Sequence, residues 1–97
     1  MGQVFQILQE QKKTIISTAS RYHATNVRFF GSVARGDEHE KSDIDLLVDF
    51  LPGATLLDQV GLIQELSQKL NRKVDVVSTR SLNKHMRQKI LDEAHVL

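Results

Sequence analysis

The chain has 97 residues, 40% of them hydrophobic and 26% charged, a length and balance that suit one globular domain over residues 1–97 and exclude wholesale disorder and collagen-like repeats. Thirteen basic against twelve acidic residues leave a formal charge of +1, too little for strong non-specific nucleic-acid binding, so no direct nucleic-acid partner is expected. Cysteine is absent, which removes disulfides, thiolate zinc sites and thiol nucleophiles; with no leader-like start and no run of about 18 apolar residues, no membrane span is expected and a cytoplasmic address fits.

From the start of the chain, Val4, Ile7, Leu8, Ile15, Ile16 and Ala19 recur at three- and four-residue steps and their multiples, predicting an amphipathic helix over about residues 4–21. Val27, Arg28, Phe29 and Phe30 form a short β-prone run that Gly31 ends, the first strand. The polar stretch GSVARGDEHEKS has room for at most one helical turn before Gly36, and DIDLLVDF then reads as the second strand, stopped by Leu51, Pro52 and Gly53. Leu56, Leu57, Val60, Ile63, Leu66 and Leu70 return to helical spacing from Thr55 until Asn71. Residues 73–78 read as the third strand, with Val74, Val76 and Val77 around a single acid. Ser81 or Asn83 can cap a last helix carrying Leu82, Met86, Ile90 and Ala94. The expected fold is therefore α/β (α+β), a small mixed three-stranded sheet packed with about four helices. The loosely structured link between the first two strands allows them to lie antiparallel, and the helical crossover between the second and third favours a parallel pair.

That topology brings Gly31, Ser32, Asp43, Asp45 and Asp75 to one edge of the sheet. Asp43 and Asp45 are two apart on a strand, so their carboxylates share one face while Ile44 points into the core. Like charges so close repel unless a cation sits between them, and oxygen ligands without His or Cys favour magnesium or manganese over zinc. Asp75 offers a third carboxylate on the neighbouring strand, and three acids at one edge can hold two divalent ions, as in phosphoryl or nucleotidyl transfer. A lone DxD is equally a solvated strand start, and a lone Gly-Ser a turn with a helix cap. Together, Gly31-Ser32 followed ten residues later by Asp43-Ile44-Asp45 makes a phosphate cradle beside a metal site.

The string GSVARGDEHEKSDIDLLVDF resembles the minimal nucleotidyltransferases of the polymerase-beta-type superfamily, small prokaryotic proteins often encoded with a HEPN partner. The likeness covers most of the chain, is most specific at residues 31–45, and extends to Asp75. It implies a nucleotidyltransferase fold and transfer of an adenylyl group from ATP, with magnesium (two ions, manganese as an alternative), onto a tyrosine hydroxyl of a HEPN-family RNase toxin. The chain would then be the antitoxin of a type VII-like pair. On this resemblance Asp43 and Asp45 hold the metals as catalytic ligands, Asp75 ligates the second metal and helps deprotonate the acceptor, and Gly31, Ser32 and Arg35 bind the β- and γ-phosphates.

Arg35, three residues past Ser32, either faces those phosphates or pins the turn by pairing with Asp37 or a strand carboxylate. Lys41 reads as a solvated loop charge, and His23, His39, His85 and His95 show no metal spacing. Asp49 lies on the face of Asp43 and Asp45 but about 13 Å beyond Asp45 at the usual strand rise, too far to share an ion. Phe29 and Phe30 read as core. Two other functions compete: a non-catalytic antitoxin that blocks the toxin by binding, and a nucleotidyltransferase acting on a small hydroxylated molecule.

Overall fold

The computed structural model describes residues 2–39 and 41–97. The elements run α1 (Gln3–Glu10), α2 (Lys12–Arg21), β1 (Ala24–Phe30), the single turn α3 (Ser32–Arg35), β2 (Ile44–Phe50), α4 (Leu56–Leu70), β3 (Val74–Ser78), a 3-10 turn (Thr79–Ser81), α5 (Lys84–Glu93) and β4 (His95–Val96). The sheet order is β3-β2-β1-β4. As expected, β1 and β2 are antiparallel and β2 and β3 parallel. A short fourth strand, β4, is added antiparallel to β1, with Arg28 opposite Val96 and Phe29 opposite His95.

The first helical stretch is two helices rather than one, meeting at Gln11 (φ −99°, ψ 12°). Neither glycine nor proline marks the break, and the bend lets Val4 and Leu8 of α1 and Ile15 and Ala19 of α2 all reach one core. The first free amides of α1 are satisfied from outside the helix: the Val4 N–H donates to Glu38 Oε1 at 2.8 Å, a carboxylate placed where the helix dipole favours it. A Cβ on Gly2 would fall 1.8 Å from that oxygen, so a larger residue here would displace the Glu38 carboxylate from the helix start. Thr55 and Asp58 close a capping box on α4, the Thr55 N–H donating to Asp58 Oδ2 at 2.9 Å. Asn71 ends the helix in the left-handed region at φ 50°, ψ 44°.

One face of the sheet holds the core. Ile44, Leu46 and Val48 of β2 and Val74 and Val76 of β3 are buried with Leu62 and Leu66 of α4 and Leu8 and Ile15 of the first two helices. Alternation then sends Asp45, Leu47 and Asp49 to the opposite face. Leu47 is buried there, while Asp49 ties the outer layer together: Asn26 Nδ2 and Arg28 Nη2 donate to it at 2.9 and 3.1 Å, and the Thr79 hydroxyl donates as well. Asp49 is thus structural and remote from the DxD acids, as its spacing predicts. Asn26 carries the bulge of β1 at φ 54°, a conformation asparagine tolerates better than most residues.

Candidate active site

The site begins at the end of β1, where Gly31 adopts φ 75°, ψ −150°, a region essentially confined to glycine. A Cβ here would lie 2.3 Å from Asp45 Oδ2. The missing side chain therefore allows both the bend and the approach of a carboxylate to the backbone. α3 follows for one turn and Gly36 closes it at φ 77°, ψ 13°. Ser32 stands at the first position of that turn.

Asp43 immediately precedes β2 and Asp45 lies within it. Asp45 is paired in register with Asp75 on the parallel neighbour and with Phe30 across the antiparallel one. In-register residues of adjacent strands share a face, so Asp45 and Asp75 stand side by side, and Asp43, just before the strand, is near enough for its charge to act on Asp45. Burial raises the Asp45 carboxyl above the usual carboxylate range, and the charges of Asp75 and then Asp43 push it further up, against the partial relief of Arg35. Asp43 is exposed, its Oδ2 3.7 Å from Lys73 Nζ, and Asp75 Oδ1 accepts from the Val76 N–H at 3.0 Å. No three His, Asp or Glu side chains among the described residues close into a metal-ligating group. The donor chemistry nonetheless fits a hard divalent cation: three oxygen donors whose mutual repulsion a cation would relieve.

A cleft of about 590 Å³ opens along this edge, walled by Gly31, Ser32, Arg35, Asp43 and Asp45 on one side and by Met86, Lys89, Ile90 and Glu93 of α5 on the other. Asp75 stands beside Asp45 but does not line it. Phe30 lines the cleft, unlike Phe29, which is buried against Phe5 with ring centroids 5.8 Å apart; the expectation that both fill the core holds for Phe29 alone. Met86 and Ile90, apolar residues carried by the expected last helix, also line the cleft: α5 has no buried residue and Met86 is 53% exposed.

Glu93 is the site residue that sequence reasoning missed. Its Oε2 accepts from the Gly31 N–H at 2.8 Å and its Oε1 from Arg35 Nη1 at 2.9 Å. The Gly31 amide, expected to hold phosphate, is thus already engaged. Arg35 also donates from Nε to Asp37 Oδ2 at 3.3 Å, so it makes the turn-pinning contact with Asp37 foreseen as one of its two roles. Burial pulls Glu93 upward, but the Arg35 guanidinium and the Gly31 amide outweigh it and hold the carboxyl below its ordinary value. The available signal was helical spacing: Glu93 stands three residues after Ile90 and seven after Met86, on the same stripe.

A mixed sheet with a glycine-serine bend, a DxD strand and an in-register third acid defines a nucleotidyltransferase. The polymerase beta nucleotidyltransferase family model matches residues 13–97, and the chain belongs to that family. Among similar proteins, a candidate protein adenylyltransferase of Methanocaldococcus jannaschii is 39% identical over 87 residues, covering 90% of this chain and 94% of that one. The solved structure of a candidate minimal nucleotidyltransferase superposes with a TM-score of 0.86 at 43% identity, covering 96% of this chain and 95% of that chain. A crystal structure of a toxin-antitoxin with AMP-PNP gives a TM-score of 0.75 at 25% identity, covering 88% of this chain and 70% of that chain. No helix among the described residues is long and apolar enough to cross a membrane.

Proposed function

We propose that this chain transfers AMP from ATP, with magnesium, onto a tyrosine hydroxyl of a HEPN-type RNase toxin in the cytoplasm and so acts as its antitoxin. The observation that carries the reading is the convergence of Asp43, Asp45 and Asp75 beside the Gly31-Ser32 bend. Support also comes from the adenylyltransferase relative and from the toxin-antitoxin structure with its ATP analogue.

Asp43 and Asp45 are the residues to hold the metal, with Asp75 as the third ligand. Two magnesium ions, when bound, supply charge neutralisation for the triphosphate and for the attacking oxygen. Ser32 and Arg35, on the wall of the cleft, bind the outer phosphates, and a bound cation would offset the burial and the neighbouring charges that raise the Asp45 carboxyl. In the transfer, the tyrosine oxygen forms a bond to the α-phosphorus and the bond to the leaving pyrophosphate breaks. The phenolic proton passes to the Asp75 carboxylate.

The test incubates the chain with ATP labelled at the α-phosphate, magnesium and a HEPN-type RNase encoded beside it. Label on the RNase with loss of its nuclease activity is expected, and D43N/D45N should abolish both. Loss of nuclease activity without label supports blocking by binding instead, a role for which exposed Leu56, Leu57 and Val60 at the start of α4 offer apolar surface. Label on a small hydroxylated molecule supports the third reading.

A further inference from the structure

Glu93 has no part in the roles just given, yet both of its oxygens are used inside the site. It is the last residue of α5, its side chain 15% exposed, and it reaches back 62 positions to the Gly31 amide. What holds it there is the segment that follows. The β4 strand pairs with β1 two residues later, the Leu97 N–H donates to the Val27 carbonyl at 3.2 Å, and Leu97 itself is buried. No residue of α5 is fully buried, so the pairing of β4 with the sheet helps fix the height at which the Glu93 carboxylate meets the bend.

We propose that Glu93 is the positioning residue of the phosphate-binding wall: it holds the Gly31 peptide in its glycine-only conformation and aims the Arg35 guanidinium into the cleft. This rests on the nucleotide reading of that cleft. Arg35 is half-exposed on a helix of one turn, and without a fixed partner its long side chain would sample many rotamers. Glu93 takes Nη1 and Asp37 takes Nε, which leaves Nη2, without a partner among the described residues, as the guanidinium edge for a phosphate oxygen. A guanidinium anchored by carboxylates on two edges is pre-organised in a way a free one is not. Ser32 Oγ, which also makes no hydrogen bond among the described residues, stands on the same wall.

The experiment measures binding of a fluorescent ATP analogue with magnesium to the full chain. Glutamine cannot accept from both Gly31 and Arg35, because its amide nitrogen is a donor. E93Q should raise the Kd about tenfold, the loss of one well-aligned charged contact, and R35A should do the same. In the R35A background E93Q should add clearly less than its tenfold in wild type, only the Gly31 contact then being left to lose, a coupling that general loosening of the fold would not produce. An unchanged or lower Kd for E93Q overturns the proposal, a lower one marking the carboxylate as a competitor of phosphate; full additivity with R35A overturns it too. If E93Q does not fold, R35K takes its place: it keeps the charge and loses the fork, should raise the Kd about fivefold, and a wild-type value refutes the proposal. Wild-type protein that binds no analogue at all refutes the nucleotide reading itself, whereas wild-type binding with an indifferent E93Q refutes only the positioning role.

Discussion

Asp45→Asn should stabilise the protein while abolishing nucleotidyl transfer. Asp45 is in register with Asp75 on the adjacent strand and two residues from Asp43, separations of about 4.8 and 6.6 Å from strand spacing and rise. With an effective dielectric of about 60 and screening at physiological salt, the two repulsions sum to about 1 kcal/mol. Desolvation adds to this and Arg35 offsets part of it. For a chain of this size about 1 kcal/mol corresponds to a rise of roughly 4–8 °C in Tm. The sign follows from linkage: the folded-state value of this acid is raised, so the native state binds more protons than the unfolded chain. The penalty is absent below the unfolded value of about 3.9, grows as pH climbs through the folded value and is constant above it. Thermal melts of wild type and D45N in EDTA at pH 7.5 measure the gap, whose Coulombic part should shrink to about a third in ~1 M NaCl, where the screening length is about 3 Å, while the desolvation part stays. A D45N variant that melts at or below wild type, or a gap indifferent to salt, would refute the reasoning.

Gly31→Ala should cost about 1–3 kcal/mol, from the forced backbone region, and should also abolish transfer, because the new Cβ would occupy the place of Asp45 Oδ2; urea melts and label transfer read the two effects. Asp49→Asn should destabilise by about 1–2 kcal/mol through its lost contacts to Arg28, Asn26 and Thr79. The Thr79 and Asn26 hydrogen bonds, against the pull of burial and with the help of Arg28, hold the Asp49 carboxyl below its ordinary value. Its contribution is therefore present above pH ~4 and lost on acidification through the depressed folded value, so the gap between D49N and wild type in pH-dependent melts should close in acid. Leu66→Ala removes a side chain with no solvent exposure from the α4 seam and should cost about 2–5 kcal/mol in chemical denaturation.

The sequence was most legible where one physical rule acts locally. Period-two alternation put Ile44 in the core and Asp45 on the opposite face, and the apolar spacing from Leu56 to Leu70 marked a helix whose crossover favours parallel strands. Legibility failed where the outcome depends on distant partners. The break at Gln11 carries no glycine or proline and follows from two helices sharing one core. The pairing of β4 rests on two exposed residues, His95 and Val96, whose strand character comes from the open edge of β1 rather than from their own pattern. Met86 and Ile90 have the spacing of a packing face, and periodicity alone does not distinguish a helix laid on a core from one laid over a cleft. Glu93 was hidden for a related reason: helical spacing puts it on the stripe of Met86 and Ile90, but does not say which residue 62 positions away it reaches.

The two-residue strand β4 therefore does more than widen the sheet. A ladder this brief is among the first parts of a fold to fray, opening far more often than the molecule unfolds. Each opening would release the Glu93 anchor and one wall of the cleft together while the central strands stay intact. The protein thus carries a fuse: mild heating or dilute denaturant should extinguish its chemistry before any global melt is visible, and a tight grip on the β1 edge by another molecule would do the same at room temperature.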